Sequence, residues 1–362
     1  MPIFAANETL QRMKGIHISK PLWAAVSAGC LLLCGSCATG RQELSVLQFN
    51  VWQEGTMVKG GYEAMADEIA RLQPTFVTLS EARNYRDTRF CDRITESLRQ
   101  RGLTYYSFYS YDSGLLSRYP LTDSATVFPI QGDHGTIYKL ATKVNGRRTA
   151  VYTAHLDYQN DTYYEVRGYD GNTWQRMEAP LTDVDEILRR NALSLRDEAM
   201  TAFLTDARKE VERGSLIFLG GDFNEPSHLD WTEATRDSAD HQGITVPWPC
   251  TLRLQEAGFK DAYRTCHPDP VSHPGYTYPS DNRDVEVKRL TWAPLSDERE
   301  RIDYVFFYPR KGLKLTEAVI VGPEGCIRRG ERKRETSKDV FLTPKGVWPS
   351  DHKAVWVKFR LK

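Results

Sequence analysis

The sequence predicts an α/β fold built around a sheet sandwich, on three observations. Six apolar runs of four to eight residues, rich in Val, Phe, Ile or Leu, read as buried strands. Helical periodicities lie between them, which gives the α/β class. Each run also delivers a polar residue to one of its ends. In chain order, residues 44–51 carry Asn50, 75–79 lead into Glu81, 150–154 into His155, and 215–219 into Gly220-Gly221-Asp222-Phe223-Asn224. The last two runs reverse the order: Asp303 opens 304–308, and Ser350-Asp351-His352 opens 354–359. Should these two strands run antiparallel to the other four, all six polar ends share one rim. A rim of carboxylates, carboxamides and imidazoles points to metal-assisted hydrolysis.

A leader precedes the first strand. Lys14 and Lys20 come before a mostly apolar stretch, 22–34, followed by Gly35-Ser36-Cys37. The stretch is too short to span a bilayer and fits the core of a signal peptide. Residues 33–37 look like a relaxed bacterial lipobox with Cys37 as the lipidated residue; the plainer alternative is a secretory signal cleaved near Ala38. On either reading 1–37 is the leader and 38–362 is one exported domain. With lipidation, that domain sits in the bacterial cell envelope on an N-terminal lipid anchor. Met13 is an alternative start.

Tyr62, Met65, Ala66, Ile69 and Leu72 recur at helical spacing before the Glu81 strand. Leu195, Ala199, Ala202, Phe203 and Val211 do the same before the Asp222 strand, with Gly214 closing that helix. Gly220-Gly221 is expected to allow a sharp turn or a close approach at the strand end. Two loops stand out: 157–180, rich in Tyr and Trp, and 325–338, with five Lys or Arg between Arg328 and Arg334. The first is long enough to suggest function; the second reads as a solvated surface. Cys91, Cys250, Cys266 and Cys326 show no zinc-finger spacing and read as one or two disulfides or as small buried hydrophobes. Lys+Arg and Asp+Glu both number 48, so no global basic field draws the chain to nucleic acid, which stays a substrate the charge does not favour.

The strings Phe49-Asn50-Val51-Trp52, Leu79-Ser80-Glu81, Thr153-Ala154-His155-Leu156, Gly221-Asp222-Phe223-Asn224, Arg301-Ile302-Asp303-Tyr304 and Ser350-Asp351-His352 together resemble the endonuclease/exonuclease/phosphatase superfamily, in that family's order. Gly275-Tyr276-Thr277-Tyr278 is similar to its Thr-Trp segment, and Ser80 stands where the family usually has Gln. The resemblance implies a DNase I-like, four-layer α-β-β-α sandwich with two packed mixed sheets. It also implies a phosphoester substrate: nucleic acid, a phospholipid headgroup, or a sugar or inositol phosphate. His352 would be general base or transition-state stabiliser, and Asp303 would fix its tautomer. Asp222 would position or deprotonate water, while Asn224 and His155 would hold phosphate oxygens. Oxygen ligands from Glu81, Asn50 and Asp351 suit Mg2+ (or Mn2+) over zinc. The competing reading is a non-catalytic envelope binding protein on the same fold, against which the intact residue set argues.

Overall fold

The computed structural model describes residues 42–362; the leader and Cys37 lie outside them. Side chains along β1 (Gln42–Asn50) alternate, with Leu44 and Val46 on one face and Leu47 and Phe49 on the other, and all four are buried. A strand apolar on both faces has to lie between two other layers. The elements that supply those layers follow in order: α1 (Gly61–Leu72), β2 (Phe76–Ala82), α2 (Phe90–Gln100), β3 (Asp112–Ser117), β4 (Leu121–Phe128), β5 (Thr136–Val144) and β6 (Arg147–His155). Then come α3 (Thr162–Val166), α4 (Val184–Asn191), α5 (Arg196–Glu212), β7 (Leu216–Asp222), α6 (Pro249–Glu256), β8 (Lys260–Asp261) and α7 (Ala262–Cys266). The last are β9 (Asp303–Phe307), β10 (Leu313–Val321), β11 (Cys326–Arg328), β12 (Glu331–Lys333), β13 (Phe341–Leu342) and β14 (Ala354–Leu361).

Two six-stranded sheets result, in the orders β13-β10-β14-β1-β2-β3 and β4-β5-β6-β7-β9-β8. Between them pack Val46, Phe76 and Phe359 from one sheet against Val151, Phe218 and Phe307 from the other. On the outer face of the first sheet, Leu47, Phe49 and Leu79 meet Met65 and Ile69 of α1 and Ile94 of α2. On the outer face of the second, Tyr152, Ile217 and Leu219 meet Met200 and Phe203 of α5 and Leu254 of α6. The result is the four-layer α-β-β-α sandwich, and α1 and α5 occupy the predicted helical spans. Fully burying each such Leu or Phe is worth about 1.5–3 kcal/mol, so packing on both faces of both sheets fixes the strand positions.

The inter-sheet layer changes character along the strands. The inward positions of β1 run Leu44, Val46, Gln48, Asn50, and those of β7 run Leu216, Phe218, Gly220, Asp222. One end of the sandwich is hydrocarbon and the other is polar. Gly220 and Gly221 lie inside β7 and form no turn; close approach is their role. A Cβ on Gly220 would stand 2.1 Å from Thr78 Oγ1 of the facing sheet, and one on Gly221 2.7 Å from the Ala154 Cβ. All four cysteines of the described residues are free thiols. The basic loop forms the β11–β12 hairpin, and two of its cations are engaged: Arg329 pairs with Asp240 (2.6 Å) and Arg332 with Asp281.

Candidate active site

β9 pairs antiparallel with β7, and β14 pairs antiparallel with β1. The strands that begin with their polar residues therefore present them at the same rim as strands that end with theirs. In the second sheet His155, Asp222 and Asp303 stand opposite one another in register; in the first, Asn50 stands beside Ser80. Glu81, His155, Asp222, Asn224, Asp351 and His352 all line one cleft of about 340 Å3. Asn50 and Asp303 sit fully buried behind it.

Two imidazoles face this cleft, each held by a buried carboxylate. His352 Nδ1 lies 2.9 Å from Asp303 Oδ2, and its Nε2 edge faces the cleft, with Asp351 Oδ1 4.0 Å away. His155 Nδ1 lies 2.9 Å from Asp112 Oδ2, and Arg83 ion-pairs with Asp112 from the other side (2.9 Å). Burial opposes charge on both rings, but the carboxylates win: Asp303 and Asp222 carry His352 up to about 10, and Asp112 lifts His155 to about 9. Without a bound cation both are imidazolium at neutral pH. Asp112 is held below the usual carboxylate range by His155 and Arg83 in spite of burial. Burial and the neighbouring Asp303 push Asp222 up from the usual carboxylate range.

A hydrogen-bonded web behind the cleft ties the two sheets together. Thr78 donates to Gln48 Oε1 (2.6 Å), and Gln48 Nε2 donates to Asp303 Oδ1 (3.3 Å) and Ser80 Oγ (3.2 Å). Ser80 donates across the sandwich to the Ala154 carbonyl (3.2 Å). The Ile302 and Asp303 amides both donate to Thr277 Oγ1 (3.2 Å each), which fixes where β9 begins. Asn224 takes a left-handed backbone (φ 47°); its amide N–H donates to Asp222 Oδ1 (3.0 Å), and its side-chain N–H to the Leu156 carbonyl (2.9 Å).

Of the three expected cation ligands, Glu81 and Asp351 present carboxylates at the cleft. Asp351 Oδ1 is buried without a hydrogen-bond partner, and burial together with the nearby Glu81, opposed by His352, brings its carboxyl to about 7. Such a group fits a hard cation supplied with oxygen ligands. Glu81, held at φ 67°, accepts from Asn50 Nδ2 (3.1 Å) and the Gln53 amide (2.8 Å). Asn50 differs from expectation in orientation. Its N–H groups reach Glu81 and Asp222 (2.9 Å), while its oxygen accepts from the Trp52 amide (2.9 Å). It thus links the Glu81 and Asp222 carboxylates. Asp222, Asp303 and His352 also bring ligand atoms within 4.8 Å of one another, but those atoms already bond to each other, to Gln48 and to Asn50.

Asp112, Gln48 and Arg83 belong to the site without having been read from the sequence, and Thr277 joins it from the segment similar to the family's Thr-Trp string. So does a row of rings along the cleft edge: Tyr158 and Trp174 are nearly parallel (6.4 Å, 16°), and Trp174 meets Trp292 at 5.0 Å. The first two come from the aromatic 157–180 loop, whose Tyr163, Tyr164 and Tyr169 join a core with Trp231 and Trp248, from which Tyr163 and Tyr164 also line the cleft.

The sequence profile of the Endonuclease/Exonuclease/phosphatase family matches residues 47–352, from the run that carries Asn50 through His352. The chain belongs to this family. Members of the Endonuclease/Exonuclease/phosphatase family are phosphoester hydrolases that in general depend on a divalent metal. The Caenorhabditis elegans protein "Uncharacterized protein F14F9.5" is 27% identical over 321 residues, 87% of this chain and 91% of its own. Among solved structures, the human Nocturnin catalytic domain with bound sulfate superposes with a TM-score of 0.50 at 16% identity, covering 89% of this chain and 98% of that one. D. rerio TDP2 complexed with single-strand DNA product gives 0.48 at 15% identity, covering 88% and 98%.

Proposed function

We propose that this protein is an exported phosphoesterase dependent on Mg2+ (or Mn2+), with Glu81 and Asp351 as cation ligands and Asn50 steering Glu81. One observation carries the reading: within a single cleft, two carboxylate-held imidazoles oppose a pair of acidic groups, one of which has an unpartnered buried oxygen. When bound, the cation neutralises phosphoryl oxygens and sharpens the attacking water. His352 presents its cleft-facing Nε2–H to the phosphoryl group, and Asp303 holds the ring's tautomer and stabilises its charge. Starting protonated, His352 serves as transition-state stabiliser and proton donor, and the general-base task falls to Asp222. His155, locked by Asp112, donates to a second phosphoryl oxygen, and Asn224 contributes its remaining N–H. Charge makes long nucleic acid the less favoured substrate.

The test is a panel of phosphomonoesters and phosphodiesters assayed with Mg2+ or Mn2+ against a chelated control. Cation-dependent turnover of at least one substrate is expected; equal rates in chelator would defeat the proposal. Export rests on the apolar 22–34 stretch, and anchoring rests on Cys37 after Gly35-Ser36. Mass spectrometry of the mature N-terminus is expected to find diacylglyceryl-modified Cys37, and an unmodified start elsewhere would rule it out.

A further inference from the structure

The cleft holds two features that phosphoester chemistry does not use. The first is the ring row. Tyr158, Trp174 and Trp292 pack ring upon ring along one edge, and Trp292 remains 53% exposed, so the row ends in an open ring. His134 extends it beyond Tyr158 (6.1 Å, 14°). The second is a shortage of positive charge. Among the described residues lining the cleft Arg83 is the one Lys or Arg, and Asp112 and Asp133 already pair with it. Against it stand five lining carboxylates, Glu81, Asp133, Asp161, Asp222 and Asp351. A polyphosphate or a long nucleic acid would meet this lining with too little compensation. One phosphoryl group, served by a cation and two imidazoles, would not.

A flat ring, stacked on the exposed Trp292 face, answers that row of rings.

We propose that Tyr158, Trp174 and Trp292 form a stacking subsite that selects phosphoesters bearing a single phosphoryl group and a nucleobase. The inference rests on the phosphoesterase reading for the position of the phosphoryl group. Stacking on an aromatic side chain is worth about 1–3 kcal/mol per base, so losing one ring should weaken binding about tenfold, at 1.4 kcal/mol per factor of ten.

The test measures affinity and turnover separately on the intact chain with Mg2+ present. Equilibrium binding is compared for thymidine 5′-monophosphate, phenyl phosphate and glycerol 1-phosphate. The expected order is nucleotide tightest, phenyl phosphate intermediate for its lack of hydrogen-bonding sugar and ring substituents, and glycerol phosphate weakest. Trp174→Ala and the surface variant Trp292→Ala should each weaken the nucleotide about tenfold and leave glycerol phosphate unchanged, with melting temperatures recorded for both. Trp174→Phe should recover most of the affinity by restoring a ring. Thymidine 5′-diphosphate should bind no tighter than the monophosphate. Equal affinity for nucleotide and glycerol phosphate, or no loss in either Trp variant, overturns the subsite. Ring-selective binding with no turnover of any phosphoester would sustain the subsite while defeating the enzymatic reading.

Discussion

Replacing Asp112 by Asn removes one negative charge while keeping the side chain's volume, and its effect should be read first on His155. Asp112 raises that ring from the ordinary 6.5 to about 9, in spite of complete burial. The difference corresponds to about 3 kcal/mol of preference for imidazolium, at 1.36 kcal/mol per unit. With the charge gone, the ring should titrate near or below about 6.5. At pH 8 the charged fraction then falls from about 90% to about 3%, a thirtyfold loss, whereas at pH 6 it changes by less than about a factor of two. If cationic His155 holds a phosphoryl oxygen, kcat/KM of Asp112→Asn should follow: strongly depressed at pH 8 and nearly recovered at pH 6. The sign for stability agrees. A histidine raised on folding contributes fully below its unfolded value and loses that contribution as pH rises through about 9. The assay pairs an NMR titration of His155 in metal-free protein with a pH–rate profile. An unchanged His155 titration, or a wild-type to variant ratio flat from pH 6 to 8, would refute the reasoning.

Glu81→Ala should abolish cation binding by calorimetry, and with it metal-dependent turnover, at an unchanged melting temperature; full activity at equal stability would sink the ligand assignment. His352→Ala should lower kcat far more than it raises KM, and Asp303→Asn should cost less than His352→Ala because it acts through the ring. Equal losses would make Asp303 a direct participant. Gly220→Ala forces a methyl against Thr78 Oγ1 at 2.1 Å, an overpacking worth about 1–3 kcal/mol. It should lower Tm by a few degrees, and by less in a Thr78→Ala background.

The sequence exposed those parts of the site that follow from strand periodicity. Asn50, Glu81, His155, Asp222, Asp303 and His352 end or begin apolar runs, and the sandwich aligns such ends without further information. Asp112 opens β3 just as Asp303 opens β9, but β3 has only Leu115 and Leu116 as its apolar signal, and the partner lies 43 residues away. Gln48 was visible as a polar residue inside a buried run, a mismatch that marks a network. The orientation of Asn50 was not, because the Trp52 amide decides it in three dimensions. Nor was the ring row, since Trp292 reaches Trp174 from a loop more than a hundred positions later. The two glycines of β7 had both roles open; only the facing Thr78 shows that approach, not turning, is what they provide.

The strand order also sets a schedule for assembly. β14, last of the strands among the described residues, inserts between β10 and β1 at the centre of its sheet, and Asp351 and His352 lie shortly before it. Until that stretch leaves the ribosome, β1 lacks a neighbour, Asp303 lacks its imidazole and Glu81 lacks the second carboxylate. A hydrolase made this way stays inert until β14 has been made. Its chemistry begins only when a contact spanning some three hundred positions has closed, a slow, non-local event. For a chain proposed to cross a membrane before folding, that delay keeps the cytoplasm's phosphoesters out of its reach.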